Sequence, residues 1–309
     1  MRAFTLTDHD STPVIGDLPI PEPACGEVRV RVHAASVNGF DLSVAAGLTK
    51  DYMEHRFPLV LGKDFAGEVD ALGPDVSGYA VGDRVFGVVT KPYLGDGSFG
   101  EYVTVPTTVG IAKLPDSVSF TDGAALGLAG TASQGIIDGA DLQLGQTVLV
   151  VGATGGVGTQ VVQLAKSAGA RVIATAHTAE ERKLVTDLGA DATVDHTADV
   201  ASQVRAIAPD GVDVVAHLAG DIGVVDLVRA GGRFVSTMVM SPDQVPTQSA
   251  VVVPVYANPT PEVLEKCAAR QASGETKVAV QHVYPLDQVA EAFDRFAQGT
   301  LGKVVVSID

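Results

Sequence analysis

The chain has 309 residues, too many for one ordinary compact domain, and 46% of them are hydrophobic, so two domains with buried cores are expected. Its 37 acidic against 21 basic side chains give a net charge of −16, which repels nucleic-acid backbones and anionic membranes. Glycine, alanine and charged residues interrupt every apolar run before the ~18 residues needed to span a bilayer.

In chain order, the opening Met1 to Asp8 reads as a short strand without the apolar stretch and cleavage site of a secretory signal, which gives a cytoplasmic expectation. Cys25 and Cys267 have no cysteine or histidine at metal-ligand spacing and read as ordinary thiols. Val28 to Ala34 alternates with period two, and Phe65 to Gly73 and Asp83 to Val89 follow, each bounded by Gly or Pro. These strands predict a partly open β-barrel. From Ser119 helical stretches alternate with apolar strands at Val148 to Val151, Arg171 to Thr175, Thr193 to Asp195, Val212 to Ala216 and Arg233 to Thr237. That alternation predicts βαβ units on a parallel sheet, hence an α/β fold. Beyond Tyr256 come a predicted helix at Pro261 to Ala272, stopped by Gly274, a strand at Val278 to Tyr284, a helix at Leu286 to Ala297 and a strand at Lys303 to Ile308.

The strand Thr147 to Val151 runs directly into Gly152-Ala153-Thr154-Gly155-Gly156-Val157-Gly158 and then into a helical run, Thr159 to Ala168. Strand, glycine turn and helix together make a dinucleotide site: backbone N–H groups approach the pyrophosphate and the helix's positive end favours the anion. Thr154, Gly155, Gly156 and Val157 are the expected contacts. An NAD-specific site places Asp or Glu about 20 residues further on, at the end of the next strand, to bind the ribose hydroxyls. Ala176 stands there, and His177, Thr178 and Arg182 can donate to a 2′-phosphate. NADPH is therefore the expected cofactor, against the charge of Glu180 and Glu181 beside it.

Further segments stand in order with this turn: Ala35-Ser36-Val37-Asn38-Gly39-Phe40-Asp41, Phe57 to Val69 containing Gly62-Lys63-Asp64, Gly97 to Val103, and Gly299-Thr300-Leu301-Gly302-Lys303-Val304-Val305. Through them the chain resembles, over almost its whole length, the zinc-independent quinone oxidoreductases of the medium-chain dehydrogenase/reductase superfamily. The resemblance implies a GroES-like partly open β-barrel domain plus a Rossmann doubly wound parallel-sheet domain. The layout it implies is residues 1–118 for the first part of the catalytic domain, 119–257 for the NADP-binding domain and 258–309 for a returning segment. It also implies that Asn38 and Thr131 lie beside the nicotinamide and that Ala219 and Gly220 form a small-residue loop near it.

Zinc-dependent relatives hold their catalytic metal with a Cys, a Gly-His-Glu motif and a further Cys or Asp. Here Asn38 stands for the first Cys and Gly62-Lys63-Asp64 for Gly-His-Glu, so no metal site is expected. Without a Lewis acid, hydride addition to a quinone or an α,β-unsaturated carbonyl fits better than alcohol oxidation. Thr49 occupies a position where many relatives have tyrosine, which leaves Tyr52 as a candidate proton donor. A basic residue that often binds the 2′-phosphate is replaced by Glu181 and a tyrosine on the following strand by His196, so NADPH contacts are expected from His177, Arg182 and His196. Relatives dimerise partly through the region of Met238 to Ala257, which is short here, and a homodimer is expected. Two other readings stay open: an enoyl-thioester reductase, and a non-catalytic protein that binds or senses NADPH.

Overall fold

The computed structural model of the chain describes residues 1–308 as two compact units, one made of residues 1–131, 259–274 and 280 onward, the other of residues 132–258 and 275–279. In chain order the first unit opens with β1 (Arg2–Leu6), β2 (Val14–Asp17), β3 (Glu27–Ser36), α1 (Gly39–Ala45), β4 (Glu54–His55) and β5 (Leu59–Val60). It continues with β6 (Asp64–Leu72), β7 (Arg84–Val88), β8 (Tyr93–Leu94), β9 (Tyr102–Pro106), β10 (Ile111–Lys113) and α2 (Phe120–Ala140), whose residues beyond Thr131 belong to the second unit. The second unit carries β11 (Thr147–Val151), α3 (Gly156–Ser167), β12 (Arg171–Thr175), α4 (Ala179–Asp187), β13 (Ala192–Val194), α5 (Val200–Ile207), β14 (Val212–His217), β15 (Val228–Ser236) and β16 (Val251–Pro254). The chain then returns to the first unit through α6 (Pro261–Ser273), β17 (Val280–Pro285), α7 (Val289–Ala297) and β18 (Lys303–Ser307).

Strand β3 organises the first unit. One of its edges pairs with β6 along almost its full length, while the other is divided, Glu27 to Arg31 pairing with β9 and Ala34 to Ser36 with β18. Register shifts between Arg29 and Val30 and between Val32 and Ala34 bend the strand where this division falls. Its side chains alternate between buried and solvent-facing over Glu27 to Ala34 and are buried on both faces from Ala34 to Ser36. The register also sets Ser36 opposite Asp64 on β6 and opposite Val305 on β18.

The second unit is a six-stranded sheet in the order β13-β12-β11-β14-β15-β16, every neighbouring pair parallel. Val148 and Val150 of β11 join one apolar cluster, and Leu149 and Val151 join another. That period-two division is what a strand covered by helices on both faces requires. The α/β class and the doubly wound parallel sheet expected from the sequence are both present.

Several boundaries differ from expectation for identifiable reasons. Strand β15 starts at Val228, not Arg233, because pairing with β14 begins with Val212 opposite Val228, lapses over Arg229 to Gly232 and resumes at Arg233 opposite Val214. The expected helix from Leu286 opens as a 3₁₀ turn, Leu286–Gln288, before α7. Helix α6 is framed by Thr260, whose hydroxyl accepts the Val263 N–H, and by Gly274, which adopts φ +76°. No helix among the described residues is long and apolar enough to cross a membrane.

Candidate active site

In the second unit the order of strands reverses between β11 and β14, and the loops leaving these two strands meet: the Leu218 N–H donates to Val151 O at 3.0 Å. A crevice at such a switch point is where open parallel sheets bind ligands. Gly152 enters the turn at φ +83°, and its N–H donates to the Thr175 hydroxyl of β12 at 3.0 Å. A Cβ on Gly158 would lie 2.1 Å from Gly152 O, so helix α3 packs against the turn at a distance only glycine permits. A Cβ on Gly155 would meet nothing closer than Gly152 O at 3.7 Å. No side chain caps the N-terminus of α3, whose N-cap is Gly155. Its first N–H groups therefore face outward with the positive end of the helix behind them, a cradle that fits a pyrophosphate.

Ala219 and Gly220 are exposed beside this turn, and a Cβ on Gly152 would sit 3.0 Å from that of Ala219. Beneath them His217 is fully buried, its Nδ1 2.9 Å from the Ser236 hydroxyl and its Nε2 3.3 Å from Gly220 O. Burial holds the His217 pKa below the usual imidazole value. A neutral ring that donates to Gly220 O and accepts from Ser236 fixes the loop.

At the end of β12, Ala176 is buried, with no carboxylate at that position. His177, Thr178, Arg182 and His196 gather beside it, the two imidazoles 5.9 Å apart. Thr178 is already engaged as the N-cap of α4, accepting the Glu181 N–H. His177 Nδ1 lies 3.0 Å from Asp195 and Arg182 3.6 Å from it, while His196 lies 3.4 Å from Glu181. Hydrogen bonds from Thr197, and then from His177, hold the Asp195 carboxyl well below the usual carboxylate range. The sequence located the donors, and the structure adds the two carboxylates that share them.

In the first unit Asn38 is buried and fully engaged. Its Nδ2 donates to Asp64 Oδ2 at 2.9 Å and to Ser36 O at 3.2 Å, and its Oδ1 accepts Lys303 Nζ at 2.6 Å. Asp64 is wholly enclosed, taking the Ser36 hydroxyl at 2.6 Å, Lys303 at 3.4 Å and the Leu128 N–H of α2 at 2.7 Å. Thr131, one turn further along α2, donates to Gly127 O or Leu128 O of its own helix. Tyr52 stands in the turn after α1 with 85% of its surface exposed. The structure thus links Asn38 to α2 through Asp64, and leaves Tyr52 outside that network.

Asp41, one turn into α1, accepts the Asn38 N–H at 2.8 Å and is buried. Burial, reinforced by the nearby Asp64 charge, pushes its pKa up to about 7. Lys63 follows Gly62, whose φ of +107° carries the chain past Ser98 and Phe99, where a Cβ would come within 2.5 Å of the Ser98 hydroxyl. Asp41 and Lys63 border a small cavity of about 20 Å³, room for about one water, shared with Phe40, Val89, Tyr93 and Asp96.

Zinc does not fit the donor set at Asn38, Lys63 and Asp64. An ammonium repels a cation, both Asp64 oxygens already accept protein hydrogen bonds, and the Asn38 oxygen is held by Lys303. Among the described residues no group of three His, Cys, Asp or Glu is placed to hold a metal. Sequence reasoning passed over Asp41 and Lys303. A lysine set against Val304, Val305 and Val306 was the available signal, since a cation in an apolar strand needs a buried partner.

Residues 24–116 match the alcohol dehydrogenase GroES-like domain family and residues 156–254 the zinc-binding dehydrogenase family. The chain is 30% identical over 308 residues to the chloroplast envelope quinone oxidoreductase homolog of Arabidopsis thaliana, which covers 94% of this chain and 92% of that one. It is 28% identical over 324 residues to the quinone oxidoreductase of Homo sapiens, covering 99% and 96%. The solved structure of the quinone oxidoreductase from Coxiella burnetii superposes with a TM-score of 0.90 at 25% identity, over 100% of this chain and 99% of that one.

Proposed function

Because the chain belongs to the quinone oxidoreductase family of the medium-chain dehydrogenase/reductase superfamily, we propose that it is a zinc-independent, NADPH-dependent reductase of quinones or α,β-unsaturated carbonyls. Members of this family bind a nicotinamide cofactor and act on small molecules, and the cofactor supplies hydride when bound. The observation that carries the NADPH reading is the end of β12, where the buried methyl of Ala176 replaces a ribose-binding carboxylate and four donors gather around it.

In this reading Thr154, Gly155, Gly156 and Val157 hold the pyrophosphate, with the N–H groups of Gly156 and Val157 at the open end of α3 as its donors, and Ala219 and Gly220 leave room beside the nicotinamide. His177, Thr178, Arg182 and His196 hold the 2′-phosphate, taking its oxygens in place of Asp195 and Glu181. Asn38 and Thr131 are assigned to the nicotinamide side, Asn38 kept rigid by Asp64 and Lys303. Tyr52, exposed in the turn after α1, is the tyrosine assigned as proton donor in this reading. The homodimer is assigned to the free edge of β16, where Val251 and the neighbouring Met240 and Tyr256 expose apolar surface.

A matched titration with NADPH and NADH, followed by an acceptor screen with a chelator present, tests the reading. NADPH is expected to bind at least ~10-fold more tightly, a difference of about 1.4 kcal/mol, and to be oxidised only with a quinone or enone. Equal or reversed cofactor affinity overturns the NADPH assignment. Activity that falls on chelation and returns with zinc overturns the metal-free one.

A further inference from the structure

At the end of β14 one buried ring is joined to two loops. His217 lies opposite Ser236 of β15, both residues are fully enclosed, and the imidazole stacks on the Phe234 ring at a centroid distance of 5.1 Å. The Ser236 hydroxyl accepts the Met238 N–H at 3.0 Å and lies 2.9 Å from His217 Nδ1. On the other side of the ring, Nε2 lies 3.3 Å from Gly220 O.

These contacts assign the proton. A carbonyl oxygen only accepts, so Nε2 carries the hydrogen that faces Gly220. In the neutral ring Nδ1 is then the acceptor, and it takes the O–H of Ser236, whose oxygen already receives the Met238 N–H. The opposite tautomer would turn a nitrogen lone pair toward Gly220 O and strand the Ser236 proton in an enclosed space. Burial disfavours the charged ring, holding the His217 pKa below its ordinary value. Met238, Ser236, His217 and Gly220 thus form one directed chain of hydrogen bonds from the loop after β15 to the loop after β14.

We propose that His217 is a positioning residue for the nicotinamide half of the cofactor, holding the Ala219-Gly220 loop in the shape that receives it. The inference rests on the nicotinamide-cofactor reading of the glycine turn. The loop has little other support. Ala219 and Gly220 are exposed, Gly220 adopts φ +80°, and a Cβ there would meet nothing nearer than Val151 at 4.0 Å. Its underside is held by the Leu218 N–H on Val151 O and by the ring of His217. The pyrophosphate cradle stands on different bonds, among them the Gly152 N–H on the Thr175 hydroxyl. Loss of the His217 contact therefore reaches the nicotinamide half of the cofactor and spares the adenosine half.

Calorimetric titration with NADPH and with 2′-phospho-ADP-ribose, which has the adenosine half and both riboses but no nicotinamide, tests this role. His217→Asn is too short to reach Gly220 O, while its amide can still meet Ser236. His217→Gln can place an amide N–H where Nε2 stands. His217→Asn is expected to bind NADPH ~10-fold more weakly than wild type and the fragment within about twofold. His217→Gln should return NADPH to within about threefold, on the scale of one buried hydrogen bond. The same split is expected between NADH and ADP-ribose, because the nicotinamide half is common to both cofactors. Equal losses for cofactor and fragment, no loss for either, or a Gln variant no better than the Asn variant overturns the proposal.

A second measurement does not depend on the variants folding. In wild type, NADPH should slow amide hydrogen exchange over Leu218 to Asp221 and over Thr237 to Met240 more than the fragment does, and equal protection by the two ligands also overturns it. Exchange without ligand separates the two readings. If wild type binds no nicotinamide cofactor, while His217→Asn exchanges faster over Leu218 to Asp221 than wild type and His217→Gln, the cofactor reading falls and the hold of His217 on the loop stands. If NADPH binds and His217→Asn changes neither affinity nor exchange, the reverse holds.

Discussion

The ammonium of Lys303 donates to the side-chain oxygen of Asn38 at 2.6 Å across 265 residues of chain, and the same ammonium stands 3.4 Å from the fully buried carboxylate of Asp64. Asn38 is thereby held on both sides, its amide nitrogen by Asp64 and its oxygen by Lys303.

This pair should break asymmetrically. Lys303→Met leaves Asp64 enclosed with its Ser36, Asn38 and Leu128 donors but without its ion-paired ammonium, and removing one member of a buried pair typically destabilises by ~3–5 kcal/mol. Lys303→Met with Asp64→Leu should recover at least half of that loss. Urea denaturation of the single and double variants checks this, and a double variant no more stable than the single refutes it.

The Asp41 pKa of about 7 makes a prediction with a sign. Its folded value lies above the ordinary aspartate value of 3.8, so the folded state holds the proton more tightly, and stability from this group falls as pH rises from about 4 to about 7. Asp41→Asn keeps an oxygen for the Asn38 N–H and cannot ionise. Its stability relative to wild type should therefore grow over that interval, by at most roughly 4 kcal/mol at ~1.4 kcal/mol per pH unit. Denaturation curves at pH 4, 5.5, 7 and 8 measure it; a difference that shrinks with rising pH contradicts the assignment.

Two glycines of the turn separate folding from cofactor binding. Gly158→Ala puts a methyl 2.1 Å from a backbone oxygen and should destabilise the protein by ~2–3 kcal/mol or more. Gly155→Ala enters open space and should change stability by less than about 1 kcal/mol. Its methyl nonetheless occupies the approach to the α3 N-terminus, so the rise in Tm on adding NADPH should shrink. Thermal melts with and without cofactor read both effects.

The carboxylates at the end of β12 compete with a 2′-phosphate. Glu181→Gln retains an acceptor for the His177 N–H and removes a negative charge next to His196. The affinity ratio of NADPH to NADH should rise about threefold to fivefold, the scale of one screened surface charge. Fluorescence titrations at fixed ionic strength test this, and an unchanged ratio would mean that Glu181 lies away from the phosphate.

The legible parts of the chain were those whose constraints are local. The glycine turn was readable because strand, turn and helix follow one another within Thr147 to Ser167, and the parallel sheet because each strand carries its own apolar pattern. The Asn38, Asp64 and Lys303 network was not, because it depends on register: Ser36 must lie opposite both Asp64 and Val305 before these side chains meet. Pattern also failed at Gly231-Gly232, which fell before the expected strand Arg233 to Thr237 and lies inside β15. Around Ala176 the sequence supplied the missing acid, but Asp195 and Glu181 reach the same place from separate elements, and only the fold brings them to the same imidazoles.

The position of Lys303 on β18 also bears on how the protein is made. Asn38 and Asp64 leave the ribosome more than two hundred residues before their cation does. Until residue 303 is synthesised, the Asp64 carboxylate lacks the ammonium that pairs with it and β3 lacks one of its neighbours. A nascent or prematurely terminated chain is therefore left with an acid in its first unit that lacks its ion-pair partner, and quality-control proteases should distinguish it from the finished molecule.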